Sequence, residues 1–195
     1  MTKETLRQHY KSLRASLDTE AVADQSLAIA NQVLQLPIWE YTNYHIFLPI
    51  ENKIEVDTSY LLSVLHGKDK SVILSKSNFD THTMQHILLQ ENTRIALSKF
   101  GIPEPQLHCA TLAPLWSLDL ILVPLVAFDR DGNRIGMGGG FYDRTLASSS
   151  GQSSDATLVG LAHQCQEIAS ISHQSWDIPL HKIATNQEII CARQK

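Results

Sequence analysis

The amino-acid sequence predicts an α/β domain with a mostly parallel central sheet flanked by helices. Short apolar runs rich in strand-forming residues alternate along the chain with segments of helical period. The apolar runs lack the alternation of a half-exposed strand, which is typical of strands covered on both faces. The 195 residues, 43% of them hydrophobic, suffice for one core, so we expect a single domain over residues 1–195.

Two amphipathic helices are predicted at the start of the chain. Residues 3–17 have apolar side chains at spacings of three and four, and the predicted buried face is Leu6, Tyr10, Leu13 and Leu17. A cationic stripe one step round the same helix consists of Lys3, Arg7, Lys11 and Arg14. Asp18 and Thr19 can cap the second helix, which Pro37 stops.

The remaining elements follow in the order of an α/β fold. Buried strands are predicted at residues 44–50, 71–75, 84–89, 118–128 and 157–162. Helices are predicted at 57–66 and 140–147. The low-complexity segment 148–155 is typical of a flexible surface loop.

Composition and charge exclude several classes of protein. A net charge of −4 argues against a protein that coats nucleic acid. The sequence has no apolar run of about 18 residues, the length that would predict a membrane span. Charges occupy the region where a secretory signal has its apolar stretch. The three cysteines, Cys109, Cys165 and Cys191, form no C-x-x-C pair, which favours reduced thiols. We therefore expect a cytoplasmic monomer with neither a nucleic-acid nor a membrane partner.

A glycine-rich loop follows the most apolar run. Four of the nine glycines fall within 136–140, after an Asp131-Gly132 turn signal. Successive glycine N–H groups can converge on an anion, and a helix that begins next adds its free N–H groups. The loop lacks the G-x-x-x-x-G-K-[ST] pattern of a P-loop, and Phe141 stands where a dinucleotide fingerprint needs its third glycine. A tight turn without a ligand remains the alternative.

Tyr142 and Asp143 follow the glycines and bring a phenol and a carboxylate to the mouth of this loop. A carboxylate beside bound phosphates usually indicates Mg²⁺. The alternative for Asp143 is an acidic residue that the helix dipole favours in the first turn. The nine histidines, including His163-x-Cys165, complete no zinc pattern, so we interpret them as surface or hydrogen-bonded core residues.

Residues 123–146 (VPLVAFDRDGNRIGMGGGFYDRTL) closely resemble the signature of the 5-formyltetrahydrofolate cyclo-ligase family, also called 5,10-methenyltetrahydrofolate synthetases. The resemblance covers most of the chain in the family's order. Its other parts are Lys3-x-x-Leu6-Arg7, residues 55–58 (EVDT), residues 101–105 (GIPEP), residues 160–162 (GLA) and Trp176-Asp177. It implies a fold similar to the ribose-phosphate isomerase and CoA-transferase-like group.

The resemblance also implies a reaction. Members convert 5-formyltetrahydrofolate, with or without a polyglutamate tail, to 5,10-methenyltetrahydrofolate, and use ATP as co-substrate and Mg²⁺. The formyl oxygen is phosphorylated, N10 attacks the activated carbon, and ADP and phosphate are released. Such chemistry needs in-line positioning and neutralisation of developing charge.

Site residues carried over from the family fall into four groups. The residues implied to bind ATP are Lys3, Arg7, Arg134, Ile135, Gly136, Met137, Gly138, Gly139, Gly140, Phe141 and Tyr142. Arg134 and Tyr142 are the implied catalytic residues. The implied substrate-binding residues are Ile50, Glu55 and Phe100, and the implied Mg²⁺ ligands are Asp143 and Asp177.

Blander alternatives stay open for several of these residues. Their spacing alone favours a solvated basic face for Lys3 and Arg7, and the alternatives are an exposed loop acid for Glu55 and an ordinary core aromatic for Phe100. The chain also departs from the family, since Met137 stands where many members have arginine and Gly139 where some have lysine. Phe141 replaces a common tyrosine.

Two rival functions fit the same fold. One is a sugar-phosphate isomerase, which needs no ATP and against which the Lys3 and Arg7 helix argues. The other is a non-catalytic regulator that binds folate, nucleotide or nucleic acid. Such a regulator has no need for Glu55, Tyr142 and Asp143, all of which are present.

Overall fold

We describe the protein from a computed structural model, over residues 2–107, 110–147 and 155–193. Its α-helices are α1 (Lys3–Ala15), α2 (Thr19–Leu34), α3 (Ser59–Gly67) and α4 (Phe141–Ala147). Its strands are β1 (Asn43–His45), β2 (Ser71–Asn78), β3 (Thr83–Leu88), β4 (Ile95–Leu97), β5 (Pro103–Pro105), β6 (Leu120–Pro124), β7 (Ala127–Phe128), β8 (Arg134–Ile135), β9 (Thr157–Leu161), β10 (Lys182–Ala184) and β11 (Ile189–Cys191). Cys109 and most of the predicted 148–155 loop lie outside the described residues.

A seven-stranded sheet in the order β11-β10-β9-β6-β1-β2-β3 forms the centre of the protein. Neighbours from β10 through β2 pair in parallel, whereas β11 and β3 pair antiparallel at the two edges. The mostly parallel α/β sheet that the sequence predicts is thereby confirmed. Small two-stranded sheets, β4 with β5 and β7 with β8, lie outside it.

The core covers both faces of the sheet, as the continuous apolar runs predict. Alternate residues of β6 point to opposite faces, so that Leu120 and Leu122 pack in one cluster and Ile121 and Val123 in another. On the first face α2 and α3 contribute the buried side chains Ile29, Val33, Leu61 and Leu65. The second face is covered by partly buried residues of α4 and the segment before β10.

Helix caps explain where the first helices begin. Asp18 caps α2 as predicted, since its carboxylate accepts a hydrogen bond from the Ala21 N–H at 2.8 Å. Thr2 does the same for α1 through the Thr5 N–H. Thr58 precedes α3 but donates its hydroxyl to the Phe47 carbonyl at 2.6 Å, which ties the start of α3 to the segment after β1.

Three predicted details are wrong. Leu13 is exposed and Arg14 is buried, because α1 packs along a face one residue further round than the apolar stripe indicates. Residues 118–128 form β6 and β7 rather than one strand, with Leu125 and Val126 between them. Strand β1 is shorter than predicted and ends at His45, although the Ile46 N–H still donates to the Ile73 carbonyl of β2 at 2.9 Å.

None of the helices in the described part of the chain combines the length and the apolar character that crossing a membrane requires.

Candidate active site

A cleft of about 850 Å³ opens at the carboxyl ends of β1, β2 and β6. Ile46 and Phe47 follow β1, Leu125 follows β6, and Ser75 and Ser77 lie on β2. Ligands of open α/β sheets bind at this edge, because the loops that follow parallel strands meet there. The fold therefore places the cleft where a ligand is expected.

The cleft brings together nearly all residues that the resemblance assigned. Its lining includes Lys3, Arg7, Ile50, Glu55 and Asp177, together with every residue of 134–143. Phe100 is the exception. It is 56% exposed and packs on Phe79, with the two ring centroids 4.2 Å apart. It is therefore neither a cleft-lining residue nor a core aromatic.

The glycine-rich loop is carried on the β7–β8 hairpin, which Asp129 holds. The buried Asp129 carboxylate accepts hydrogen bonds from the Asn133 N–H at 2.9 Å and the Ile171 N–H at 2.8 Å. Gly132 forms the predicted turn with φ +87°, and a Cβ there would lie 2.5 Å from the Leu180 carbonyl oxygen. Position 132 consequently accepts only glycine. The β7–β8 hairpin, which precedes the glycine-rich loop in the chain, is therefore held firmly in place.

Helix α1 directs Lys3 and Arg7 into the cleft. The Arg7 Nε donates to the Gly136 carbonyl at 2.8 Å, and Arg7 also pairs with Glu4. Gly138 has φ +105°, and a Cβ there would lie 3.5 Å from the Arg7 guanidinium carbon. A Cβ would make only an ordinary contact with Arg7, so it is the positive φ that requires glycine at this position.

Two cleft carboxylates pair with cations, Asp177 with Lys3 and Asp143 with Arg134. The Lys3 Nζ lies 2.5 Å from Asp177, which also accepts the Gln174 N–H at 2.8 Å. Burial raises the pKa of the Asp177 carboxyl, but the Lys3 ammonium and the Gln174 N–H outweigh burial, so its pKa is lowered overall. Asp177 therefore remains a carboxylate at neutral pH.

Arg134 is held from two directions. Its Nη2 donates to Asp143 at 2.7 Å, and its Nη1 donates to the Ile178 carbonyl. The Ile178 N–H donates in turn to the same Asp143 oxygen at 3.0 Å. Because only 6% of the Arg134 side chain is exposed, its guanidinium is oriented before any ligand binds.

Glu55 faces the cleft from the segment after β1. It is 8% exposed and accepts the Ile50 N–H at 2.8 Å, so it is not an exposed loop acid. Burial raises the pKa of Glu55, whereas the Ile50 N–H, Arg14 and Lys53 oppose that rise. Burial, with a smaller contribution from Glu55, also raises the pKa of the Tyr142 phenol, which stays a hydrogen-bond donor.

A buried histidine pair lies beneath Tyr142. The ring of His45 meets Tyr142 at 5.9 Å and His86 at 5.3 Å, both edge to face. Burial lowers the pKa of His45 to about 3 and that of His86 to about 4, so both rings are neutral. Their nitrogens have no hydrogen-bond partner in the described structure, unlike the hydrogen-bonded core histidines that we expected.

Further cleft residues were missed by the sequence reasoning. Trp176 is 65% exposed at the rim, and its place before Asp177 is the one signal that pointed to it. Ser75, Ser77 and Met84 line the cleft from the β2–β3 hairpin, and no motif marks them.

A magnesium ion fits the donor chemistry of this site. No group of three or more His, Cys, Asp or Glu side chains that could hold a metal occurs among residues 2–107, 110–147 and 155–193. Nucleotide-bound Mg²⁺ needs fewer, because it takes one or two carboxylates and fills the other positions with phosphate and water oxygens. Asp143 and Asp177 supply two carboxylates on the side of the glycine-rich loop.

An open α/β sheet whose carboxyl edge carries a cationic, glycine-rich loop and a buried carboxylate in one cleft defines a ligand-binding α/β protein with an enzyme-like cleft. The family model of 5-formyltetrahydrofolate cyclo-ligases matches residues 1–186. The chain belongs to the 5-formyltetrahydrofolate cyclo-ligase family, a family of enzymes, as its sequence motifs predict.

Individual relatives agree with this membership. The 5-formyltetrahydrofolate cyclo-ligase of Haemophilus influenzae is 34% identical over 93% of this chain and 96% of its own length. The protein of that name from Escherichia coli K12 is 36% identical over 69% of this chain and 74% of its own. A solved structure of 5,10-methenyltetrahydrofolate synthetase from Aquifex aeolicus superimposes with a TM-score of 0.83 at 28% identity, over 100% of this chain and 95% of that one.

Proposed function

We propose that this protein catalyses the ATP- and Mg²⁺-dependent cyclisation of 5-formyltetrahydrofolate to 5,10-methenyltetrahydrofolate, with release of ADP and phosphate. Family membership supports the folate reaction. The observation that carries the assignment is that one cleft is lined by two chemically different sets of residues. Lys3, Arg7 and the glycine-rich loop are one set, which we call the loop wall, and the segment after β1 with Ile50 and Glu55 is the other, which we call the folate wall.

The loop wall suits the triphosphate of ATP. Lys3, Arg7 and Arg134 supply positive charge, and the loop glycines expose backbone N–H groups to phosphate oxygens. Asp143 and Asp177 would hold Mg²⁺, which neutralises phosphate charge when it is bound. Each of these acids already pairs with a cation, so nucleotide binding exchanges one set of opposite charges for another.

The residues of the folate wall suit the pterin ring of a folate. Glu55 can accept hydrogen bonds from the N–H donors of the pterin ring, and Ile46, Phe47 and Leu48 offer apolar surface to its faces. The cleft then aligns the formyl oxygen with the γ-phosphorus. Because both substrates are held in one cleft, the reaction between them becomes effectively unimolecular.

In the chemical step, the formyl oxygen bonds to the γ-phosphorus as the bond to ADP breaks. N10 then attacks the formyl carbon and loses its proton, and the C–O bond breaks to release phosphate. The fixed Arg134 guanidinium stabilises charge on the phosphoryl group during transfer, and the protonated Tyr142 phenol donates a hydrogen bond to an oxygen of the reacting groups.

We further propose that the enzyme acts in the cytoplasm as a monomer, without a nucleic-acid or membrane partner. The net charge of −4 supports the absence of a nucleic-acid partner.

The test follows ultraviolet absorbance in the region where methenyltetrahydrofolate absorbs. Purified protein is mixed with 5-formyltetrahydrofolate and Mg²⁺, with and without ATP, and ADP and phosphate are quantified. We expect an ATP-dependent rise with one ADP and one phosphate released per product. If absorbance stays flat while calorimetry detects folate or ATP binding, the protein is a regulator and not this enzyme.

A further inference from the structure

Four aromatic rings from three segments meet beside the glycine-rich loop. Phe79 and His82 belong to the β2–β3 turn, Phe100 belongs to the β4–β5 turn, and Phe141 begins α4. The Phe79 ring centroid lies 4.2 Å from that of Phe100 and 5.3 Å from that of Phe141. The His82 ring lies 5.4 Å from Phe141. Of these four described residues, Phe141 lines the cleft and the other three do not, so any influence of theirs on the cleft must pass through Phe141.

The β2–β3 hairpin holds α4 at two levels. At the start of the helix, Phe79 and His82 contact the Phe141 ring. One turn further along the helix, the Thr145 hydroxyl accepts a hydrogen bond from the Met84 N–H at 2.8 Å. The ring is therefore enclosed by an element that is itself bonded to the helix, and a change of its rotamer would disturb both. Phe141 consequently has a fixed position at the end of the loop.

The Phe141 ring occupies the space beside Gly139. A Cβ added at Gly139 would lie 2.7 Å from two carbon atoms of this ring, well inside the roughly 3.5–4.0 Å of an ordinary contact between carbon atoms. Gly138 and Gly140 have positive φ, whereas Gly139 does not. At position 139 it is therefore the neighbouring ring, and not the backbone conformation, that excludes a side chain.

Arg144 makes a second contact with the same peptide. Its Nη1 donates to the Gly139 carbonyl at 2.6 Å. Gly139 is thus fixed by a guanidinium bound to its carbonyl oxygen and by a ring beside its Cα. Peptides that are ordered before a ligand arrives bind it more tightly, because less conformational freedom is lost on binding.

We propose that Phe79 is a positioning residue for the glycine-rich loop, which it orders by keeping the Phe141 ring against Gly139. Phe79 touches no part of the cleft lining other than Phe141 among the ring contacts of the described residues. Its effect on ATP rests on the proposed function, in which this loop binds the triphosphate; the link from Phe79 to Gly139 does not.

The first test is a cycle of substitutions that needs no ligand. Gly139→Ala in the otherwise unsubstituted protein brings a Cβ against a held ring and should lower the thermal midpoint by about 5 °C. In Phe79→Ala the Phe141 ring can move aside, so that Gly139→Ala should lower the midpoint by only about 1 °C. Gly136→Ala is the matched control, because a Cβ there meets nothing within 4 Å, and its effect should be equally small in both backgrounds.

The second test measures phosphate binding by the loop. Calorimetry is carried out with inorganic tripolyphosphate and with ATP, each in the presence of Mg²⁺. Phe79→Ala should weaken the binding of both by about fivefold, the effect of about one hydrogen bond, because the loop N–H groups are less ordered. The dissociation constant for 5-formyltetrahydrofolate should change by no more than about twofold. A purely structural role for Phe79 would weaken all three ligands equally.

Two further variants serve as controls for the binding test. Phe79→Tyr keeps the ring and should bind tripolyphosphate and ATP as the unsubstituted protein does. Tyr60→Ala removes an aromatic side chain that is 43% exposed on α3 and does not line the cleft, and it should likewise leave both dissociation constants unchanged.

Either of two outcomes overturns the proposal. One is an equal loss of thermal midpoint on Gly139→Ala with and without the Phe79 ring. The other is unchanged binding of ATP and tripolyphosphate in Phe79→Ala. If Phe79→Ala does not fold, Phe79→Leu takes its place in both measurements, and the same outcomes decide. If the unsubstituted protein binds neither ATP nor tripolyphosphate, the proposed function fails, whereas the ligand-free cycle still decides the link between Phe79 and Gly139.

Discussion

The two walls of the cleft are built in different ways. The loop wall is polar, and its charges meet within it: Lys3 pairs with Asp177, and Arg134 pairs with Asp143. The folate wall is mostly apolar, and its carboxylate, Glu55, is buried and accepts a backbone N–H.

This difference has a functional meaning. The Lys3–Asp177 pair can exchange partners when a charged ligand arrives, because both of its side chains are partly exposed, whereas Arg134 is 6% exposed and stays fixed. A buried carboxylate cannot move or change partners so easily, and it presents fixed acceptors to neutral N–H donors. One wall is suited to ligands that bring charge, and the other to a flat ligand recognised by shape and hydrogen bonds.

The largest effect is expected from the removal of Arg134, the most rigid cation of the loop wall. Arg134→Met should lower kcat by about 100-fold or more, since it removes a preorganised charge from the position of phosphoryl transfer. Arg130→Met is the matched control, because Arg130 lies on the same hairpin and pairs with Glu167 and Glu188 outside the cleft. Steady-state kinetics of both variants decides the matter. Equal rates would remove Arg134 from the chemical step.

A crossed pair of substitutions sharpens the comparison. Lys3→Met should raise the KM for ATP by about tenfold and leave that for folate unchanged, and Glu55→Gln should do the reverse. Lys11→Met on the same helix and Glu51→Gln in the same loop are the controls, since neither residue lines the cleft. If either test variant changes both constants equally, the walls do not act separately.

Acid should lower the folding stability of the protein, and hence of both walls together, through the buried histidines His45 and His86. The pKa values of about 3 for His45 and about 4 for His86 lie below the ordinary value, so the unfolded chain binds protons that the folded protein does not. Stability is therefore full above about pH 6.5 and falls as pH drops towards 4 and 3, by on the order of 1–2 kcal/mol per ring at pH 5.

Urea unfolding at pH 7 and pH 5 measures this loss. His86→Phe should lose less stability over that interval than the unsubstituted protein, and His173→Phe should lose as much, because His173 is exposed. A loss in His86→Phe as large as that in the unsubstituted protein would count against a neutral His86 in the folded state.

The smallest effect concerns Phe100, which does not line the cleft but which the resemblance assigns to the substrate. Phe100 is exposed and stacks on Phe79, which in turn meets Phe141 of the loop at 5.3 Å. Phe100→Ala should raise the KM for folate by roughly threefold, since an exposed aromatic contact contributes little. Leu97→Ala, at a similarly exposed position, is the comparison. No change in KM would place Phe100 outside the substrate site.

The sequence predicted those features whose signals are local. The Asp18 cap, the Asp131-Gly132 turn and the apolar run of β9 each depend on neighbouring residues, and all three are found in the structure. The glycine-rich loop was located for the same reason. The alternation of strands and helices predicts a parallel sheet. The glycine-rich loop follows one of its strands, so the loop is expected to line a cleft at the carboxyl edge.

Other features depend on contacts between distant segments. The prediction for Arg14 was wrong because an apolar stripe defines the buried side of a helix only to within one residue. Contacts with distant residues, such as the hydrogen bond from Arg14 to the Leu125 carbonyl, decide the rotation of α1. The strands β10 and β11 are three residues each, too short for a periodic signal. The burial of Glu55 arises from the fold of its loop over Ile50, for which the residue types give no indication.

The contact between Lys3 and Asp177 joins residues 174 positions apart in the chain. Tyr10 likewise donates to the carbonyl of Glu167, 157 positions later. Contacts of such separation form late in folding, after the local elements. During synthesis on a ribosome, α1 emerges long before the residues that meet it. A nascent chain therefore holds Lys3 without Asp177, and this contact forms only after the last part of the chain has been synthesised.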